Sequence, residues 1–303
     1  MRGLINLIVA AAFIIALVPA GASAQAPRTF VASTGSDLNP CSRQAPCRGF
    51  QAAVNAVAPG GEVVALDSAG YGPFTIDRSV IVSADGVHAA LSIVNGTGIT
   101  LNTAATDVVV LRNLTIVSTP ESLNRAIDAL GFIGALFVEH CTFANTSTGV
   151  NFEPASSPAE VHVTDSTFRD ITGHGVAVLG AGVTAIVSDS TFEKLTGAGV
   201  LATAGGQALV RRSTVSGCAG AIGGFAAFSG SATVNVIDSV TAGNSVGVSS
   251  EGTGSTVRVS NTTITNNTTG LVTGPGATLV SMTGNHLAGN GTDGSFSSSI
   301  PAQ

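Results

Sequence analysis

From Val110 to Ser298 the chain repeats itself. One apolar position marks the beat, as Ile116, Phe143, Phe168, Phe192, Val215, Thr241, Ile264 and Leu287, at spacings of 27, 25, 24, 23, 26, 23 and 23. The copies share a grammar, clearest in VTDSTF (163–168), VSDSTFEKLTGAGVLATA (187–204) and VSNTTITNNTTGLVTG (259–274). A second apolar position follows a glycine or small residue: Val150, Val176, Val200, Ile222, Val248 and Leu271. A unit this short cannot bury its own apolar face, so units at a fixed period must stack on one another. Helical repeats would need stretches of 3.6-residue periodicity about 10 to 12 residues long, and no unit has one. A leucine spine and the glycine-rich calcium nonapeptide are also missing. Two or three short β runs per coil, punctuated by glycine, predict a parallel β-helix. A coil of about 24 residues favours the larger, right-handed form. The expected fold is all-β: a single-stranded right-handed parallel β-helix, a solenoid of about ten coils.

The first 24 residues read as a signal peptide to be cleaved. Arg2 carries the charge, Leu4 to Val18 is an apolar run of 15, and Ala22-Ser23-Ala24 is a small-residue cleavage site. The run falls short of the about 20 residues that cross a bilayer, so no membrane span is expected after signal removal. The mature chain, 25–303, is expected to be secreted or periplasmic. It carries 11 basic and 18 acidic residues, a net charge of −7, with Lys194 its only lysine. A nucleic-acid partner would need a basic stripe to neutralise phosphates, and none is present. Cys41 and Cys47 flank SRQAP and, in an oxidising compartment, are expected to form a local disulfide. No further Cys or His lies near them to complete a four-ligand metal site. Cys141 and Cys218 sit three repeats apart, about 14 Å if coils stack at about 4.8 Å, and read as buried and unpaired.

Residues 28–110 differ from the rest. RTFVAS (28–33) reads as a strand and TGSDLNPCSRQAPC (34–47) as a turn-rich loop. RGFQAAVNAVA (48–58) reads as an amphipathic helix with Phe50, Val54 and Val57 on one face, stopped by Pro59-Gly60-Gly61. EVVALD, FTI, VIVSAD, LSIV and ITLN follow as short β runs, each ended by Asp, Gly or Asn. Such a helix would shield the open end of a solenoid. One domain is therefore expected, with 28–61 as its N-terminal cap, 62–109 as first coils and 110–298 as regular repeats. The segments TGSDLNP, APC, FQAAVNAVAPGGEVVAL and YGPFTI, followed by β coils, resemble the opening of secreted right-handed β-helix proteins of the pectate-lyase-like superfamily. The resemblance covers nearly the whole mature chain. It implies the fold and leaves function open, because that superfamily includes lyases, hydrolases, epimerases, phage tailspikes and adhesins.

In a β-helix, neighbours in space are equivalent positions of successive coils, so a site must be sought in columns. With Phe168 and Phe192 as position zero, minus two reads Leu114, Cys141, Ser166, Ser190, Ser213, Ser239 and Thr262. Minus one reads Thr115, Thr142, Thr167, Thr191, Thr214, Val240 and Thr263. Strand alternation turns the first column inward and the threonines to solvent. Minus three reads Asn113, His140, Asp165, Asp189, Arg212, Asp238 and Asn261, the strongest candidate for chemistry. Asp165 and Asp189, one coil apart, would approach the about 5 Å separation of retaining glycosidases. They would equally suit a Ca²⁺ ion, with Arg212 polarising a uronate. The same column also suits a turn whose short polar side chains satisfy the backbone, with Arg212 bridging Asp189 and Asp238. Adjacent columns stack opposite charges, Arg169 over Glu193, Asp170 over Lys194 and Arg112 over Glu139, as stabilised sheets do.

His174, in GHG (173–175), is similar to a triplet of polygalacturonases, but the NTD, DD and RIK segments of that family are missing. It occupies the slot of Ala198 and Val246, while His162 shares a column with Ile186 and Leu209 and reads as a strand residue. Two main function classes remain. The first is a non-catalytic exported scaffold or binding protein of a surface, matrix or carbohydrate. The second is a polysaccharide-active enzyme, a lyase, hydrolase or epimerase on a uronate-containing glycan, sited at Asp165, Asp189, Arg212 and His140. A flat threonine face that binds a regular surface is a minor third, interrupted by Val240. Sugar-gripping enzymes use aromatic platforms and walled grooves. This chain has no Trp and one Tyr, and its longest excursions, 118–131 and 153–160, are poor in catalytic residue types. The non-catalytic class is favoured. No cofactor is expected, with Ca²⁺ arising only under the enzyme alternative, and the expected partner of this monomer is a glycan or cell-surface ligand. Asn-X-Ser/Thr triplets at Asn95, Asn113, Asn145, Asn261, Asn267 and Asn290 would matter only in a glycosylating host.

Overall fold

The structure, a computed structural model, describes residues 25–119, 123–132, 134–154 and 157–301. The expected signal peptide lies outside the described residues, as do parts of both excursions. Among the described residues, strands pair in parallel, coil on coil, into three sheets of twelve, ten and nine strands. The chain visits first, second and third sheet in the same order on each turn. Ala159–Thr164, Thr167–Arg169 and Val176–Leu179 make one turn, and Val183–Ser188 opens the next. Nine turns contribute to all three sheets and a tenth is incomplete, so the expected solenoid of about ten coils is what forms.

The apolar beat runs in register up the second sheet, from Ile116 through Phe143, Phe168, Phe192, Val215, Thr241 and Ile264 to Leu287. Inside the coil, Phe143, Phe168 and Phe192 stack with centroids 4.5 and 4.7 Å apart and planes within 13°. Facing this stack is a column of glycines with no room for a side chain. A Cβ on Gly149 would meet Phe168 at 2.5 Å, and one on Gly175 would meet Phe192 at 2.4 Å. The third sheet corrects one position of the sequence register. Val200 pairs with Phe225, which pairs with Val248, so Phe225 and not Ile222 fills the inward column. The turn before Phe225 is longer than its neighbours, and Ile222 packs outside the sheet on Ala198, Leu201 and Ala226.

The first corner is made by the minus-three column. Asn113, His140, Asp165, Asp189, Arg212, Asp238 and Asn261 all take left-handed backbone, with φ from 45° to 58°. That conformation costs an L-residue roughly 1–2 kcal/mol, and Asn and Asp tolerate it best. The bend also takes the next residue's N–H off the sheet ladder. A hydroxyl one coil on replaces the lost carbonyl. The N–H groups of Cys141, Ser166, Ser190 and Ser213 donate to the side chains of Ser166, Ser190, Ser213 and Ser239 at 3.1–3.2 Å. Each of these hydroxyls donates in turn to the carbonyl two residues before it, at 2.8–2.9 Å. A shorter asparagine ladder does similar work at the next turn: the Asn244 amide donates to Asn267 and the Asn267 amide to Asn290, each at 3.0 Å. Asn267 is buried there, which removes it as a glycosylation acceptor.

Phe50–Ala56 forms the capping helix and buries Phe50, Ala53 and Val54 against the first coil. The helix ends earlier than its sequence suggests. Val57 is already extended, with ψ 144°, and opens the strand Val57–Ala65. Pro59-Gly60-Gly61 therefore lies inside that strand, where the register against Ala26–Val31 shifts between Ala26↔Val57 and Arg28↔Glu62. Edge pairing with Ala26–Val31 wins over one more helical turn. A Cys41–Cys47 disulfide, with Cα atoms 4.6 Å apart, closes the loop that follows Ala26–Val31. Asp67 ties cap to coil by accepting from the Ser33 N–H at 2.9 Å and from the Ser33 and Tyr71 hydroxyls. Those hydroxyls hold Asp67 below the usual carboxylate range, while burial and Asp67 push the Tyr71 phenol up. Among the described residues, no helix is long and apolar enough to cross a membrane.

Two substitutions test what the coil depends on. Gly175→Ala drives a methyl into Phe192 and should cost about 1–3 kcal/mol in urea unfolding. Gly70→Ala, whose Cβ finds nothing nearer than 4.0 Å, should leave the midpoint nearly unchanged. Ser190→Ala strands the buried Ser166 N–H and should cost about 1–3 kcal/mol, whereas Ser190→Thr keeps the hydroxyl as Thr262 does and should cost much less.

Candidate functional site

The minus-three column is the longest run of polar side chains outside the coil, and its members are matched in pairs. Arg212 makes a two-pronged contact with Asp189, Nε to Oδ1 at 2.7 Å and Nη2 to Oδ2 at 2.6 Å. His140 Nε2 lies 3.6 Å from Asp165. The Asn261 amide donates to Asp238, and the Asn113 amide to Asp85. Each acid thus takes one partner from an adjacent coil. Asp165 turns to the coil before it and Asp189 to the coil after it, so the two candidate carboxylates are committed in opposite directions. Arg212 contacts Asp189 alone and does not bridge to Asp238 as expected. Its guanidinium holds the Asp189 carboxyl below the usual range.

A retaining pair needs two carboxylates facing one bond, one protonated and one free. A calcium ion takes about six to eight oxygens, mostly from several carboxylates and carbonyls. In this structure Asp189 carries a guanidinium and Asp165 lies beside an imidazole, so each carboxylate has one polar neighbour from an adjacent coil. Among the described residues, no group of three His, Cys, Asp or Glu is placed to hold a metal ion. The neighbouring charge stacks are partly as expected. Arg112 Nε reaches Glu139 at 2.8 Å across coils. Arg169 is in register with Glu193 but contacts Asp170, its chain neighbour, at 3.3 Å. Asp170 and Lys194 are themselves left-handed corner residues, with φ of 54° and 56°, which turns their side chains away from a sheet ladder.

His162, His174 and the two unbridged cysteines have structural surroundings. His174 Nδ1 accepts the Ala198 N–H at 3.0 Å, one coil on, which requires an unprotonated nitrogen. Burial lowers its pKa in the same direction. His162 stacks on Phe137 at 4.6 Å and continues an outward column of Ile81, Val110, Phe137, Ile186 and Leu209. Cys141 and Cys218 are buried and unbridged, and burial pushes the Cys141 thiol up to about 12. Neither is a nucleophile at neutral pH. The threonines of the minus-one column stand in register from Thr115 to Thr214, resume at Thr263 after Val240, and give way to His286.

One polar cluster was missed by sequence reasoning. On the outward face of the third sheet, Arg125 Nη1 lies 3.0 Å from Asp128 Oδ2, and the Asn151 amide donates to Asp128 Oδ1 at 2.9 Å. Register explains the cluster: Thr100, Asp128, Asn151 and Ala177 are successive members of one column. The signal was the residue after each member of the Val150 column. Extending that column one coil back, to Ile127, would have found it.

A family model described as the right-handed β-helix region matches residues 148–299, half of the chain. No curated protein matches the sequence. Among solved structures of similar fold is XylC in complex with xylose, 9% identical over 86% of this chain and 66% of its own, with a TM-score of 0.55. Another is the GH136 lacto-N-biosidase of Eubacterium ramulus, 10% identical over 91% of this chain and 67% of its own, with a TM-score of 0.56. The chain spans just under two thirds of the first of these proteins. At such identities the likeness is one of fold.

His174 and Asp189 titrate in separate windows. His174 stays neutral in the fold, so below 6.5 the unfolded chain binds the extra proton and the fold loses stability. The stability difference between wild type and His174→Ala should therefore narrow as pH falls through 6.5. Asp189 is depressed, so its contribution is full above 3.8 and is lost only at lower pH. The difference between wild type and Asp189→Asn should hold down to that point and then narrow, and added salt should shrink it because the pair is exposed. Thermal melts across pH read both.

Proposed function

The chain belongs to the right-handed β-helix family, and from that premise we propose that it is a non-catalytic β-helical scaffold that binds carbohydrate on its outer surface. The observation that carries the non-catalytic part is the pairing up the first corner, where Asp165, Asp189 and Arg212 are engaged with coil neighbours. Acid–base catalysis needs a group whose proton is free to move at the operating pH. A carboxylate gripped by a guanidinium is held ionised and occupied. Carbohydrate comes first among ligand classes because two proteins of the same fold are named for xylose and for lacto-N-biosidase activity. The Cys41–Cys47 disulfide supports work outside the cytoplasm, secreted or periplasmic, where thiols stay oxidised.

A second reading, turnover of a polysaccharide, has one observation in its favour. Arg125, Asp128 and Asn151 bring a cation, a carboxylate and an amide together on the outward side of the third sheet, with Asn151 buried and Arg125 partly exposed. There too the carboxylate is engaged twice, which favours binding or packing over proton transfer.

A glycan array read for both retained ligand and released product separates the two. The scaffold should retain glycan without product, and Asp165→Ala and Arg212→Ala should bind as the wild type does. Product formation that disappears in Asp165→Ala, Arg212→Ala or Asp128→Ala with the melting temperature preserved would overturn the non-catalytic reading.

A further inference from the structure

The first corner has one outsized member. From Arg112 to Thr263, seven successive corners join the first and second sheets with one or two residues. In the second turn five residues, Ala84 to His88, lie between Val80–Ser83 and Ala89–Ile93. This loop is pinned at several points. The Val87 N–H donates to the Ala84 carbonyl at 3.3 Å, across Gly86 with φ of 76°. The His88 N–H donates to Ser68 Oγ at 2.9 Å, and Asp85 accepts from the Asn113 amide. The loop stands as a wall beside the outward threonine column and leaves an open cavity of about 580 Å³. That volume falls within the about 300–1,000 Å³ of small-molecule sites.

We propose that this groove, walled by Gly86–His88 and floored by Asn113, Thr115, His140 and Thr142, binds a neutral saccharide. The proposal rests on the carbohydrate-binding reading and gives it a place and a ligand class. The lining is polar and mixed. Two imidazoles and two hydroxyls each offer donor and acceptor, as a sugar's hydroxyls do. His88 Nδ1 and Thr115 Oγ1 lie 3.5 Å apart, close enough to share one ligand hydroxyl between them. Val87, half-buried against the core, leaves only its exposed part to the C–H face of a pyranose. Charge selects against an acidic sugar: the lining holds no Lys or Arg, and the Asp85 and Asp165 carboxylates adjoin it. A uronate carboxylate would be desolvated beside two like charges with no fixed cation to meet it. The groove also opens toward Thr167 and Thr191, so a longer chain has hydroxyls to lie on beyond the first sugar.

NMR titration of the full chain with matched pairs, galactose against galacturonate and glucose against glucuronate oligosaccharides, tests this. The neutral member of a pair should bind with shifts at His88, Thr115 and His140, and its uronate should bind about tenfold more weakly. Thr142→Val, which changes shape least, should raise the Kd for the neutral sugar about fivefold, the worth of one hydrogen bond. His88→Ala should raise it about tenfold with the melting temperature preserved. Wild-type binding that survives both variants unchanged overturns the groove and leaves the carbohydrate reading standing. Tighter binding of the uronates overturns the ligand class. No binding of any glycan by the wild type overturns the carbohydrate reading, and the groove with it.

Discussion

From Arg112 to Thr263 each coil of this protein turns sharply between its first and second sheets, and a sharp turn takes a backbone N–H off the ladder. Buried in the coil, that group would be left without water or carbonyl, at a cost of about 1–3 kcal/mol per coil. The serine of the next coil supplies the missing acceptor and hands its own proton to a carbonyl two residues back. The bond runs from coil to coil, so no coil satisfies its own corner. That dependence is what makes the structure a column. It also explains why position minus two is Ser, Thr or Cys from Cys141 to Thr262 and is then Asn285, since the side chain must be small and able to bond.

The same corner determines what the residue before the serine can do. Left-handed backbone at minus three holds the side chain at the coil's edge, within reach of equivalent side chains above and below. A polar residue there is solvated on one side and has a coil neighbour on the other. Given alternating acids and partners, pairing follows, as with Asp189 and Arg212. What looks in sequence like a line of candidate catalytic groups is in space also a set of contacts between coils. Exposed ion pairs of this kind contribute little stability each.

The fold was legible because repetition makes it so. Once Phe143, Phe168 and Phe192 were read as one column, the register of the second sheet followed through eight coils without error. The serine and threonine columns then took their facings from strand alternation alone. Errors fell where a coil departs from the beat. Ile222 lies at about the right distance from Val200 for a core position, but the turn before Phe225 is longer and Ile222 covers the outside of the third sheet. Pro59 and Gly60 usually end helices, whereas edge pairing of Val57 has already ended this one. Register places Arg169 opposite Glu193 without deciding which way a long side chain reaches, and it reaches Asp170. The Arg125–Asp128–Asn151 cluster begins one coil before Val150, at Ile127.

A uniform solenoid offers a ligand nothing local. Each coil repeats its neighbours' surface, so a binding energy gained at one coil would be gained equally at the next, and no site would be distinguished. Specific recognition requires a place where the repeat is broken. The described residues show such breaks, and three of them are spent differently. The turn before Phe225 is used to cover Leu201 and Ala226, whose apolar surface would otherwise face water. The stretch around Arg125 and Asn151 gathers charge but matches it internally. The Ala84–His88 loop seats Ala84 and Val87 on the core and leaves Asp85, Gly86 and His88 exposed, held upright by its own bonds. A loop anchored in this way leaves a wall, and a wall beside an ordered row of hydroxyls supplies a surface that the regular coils do not.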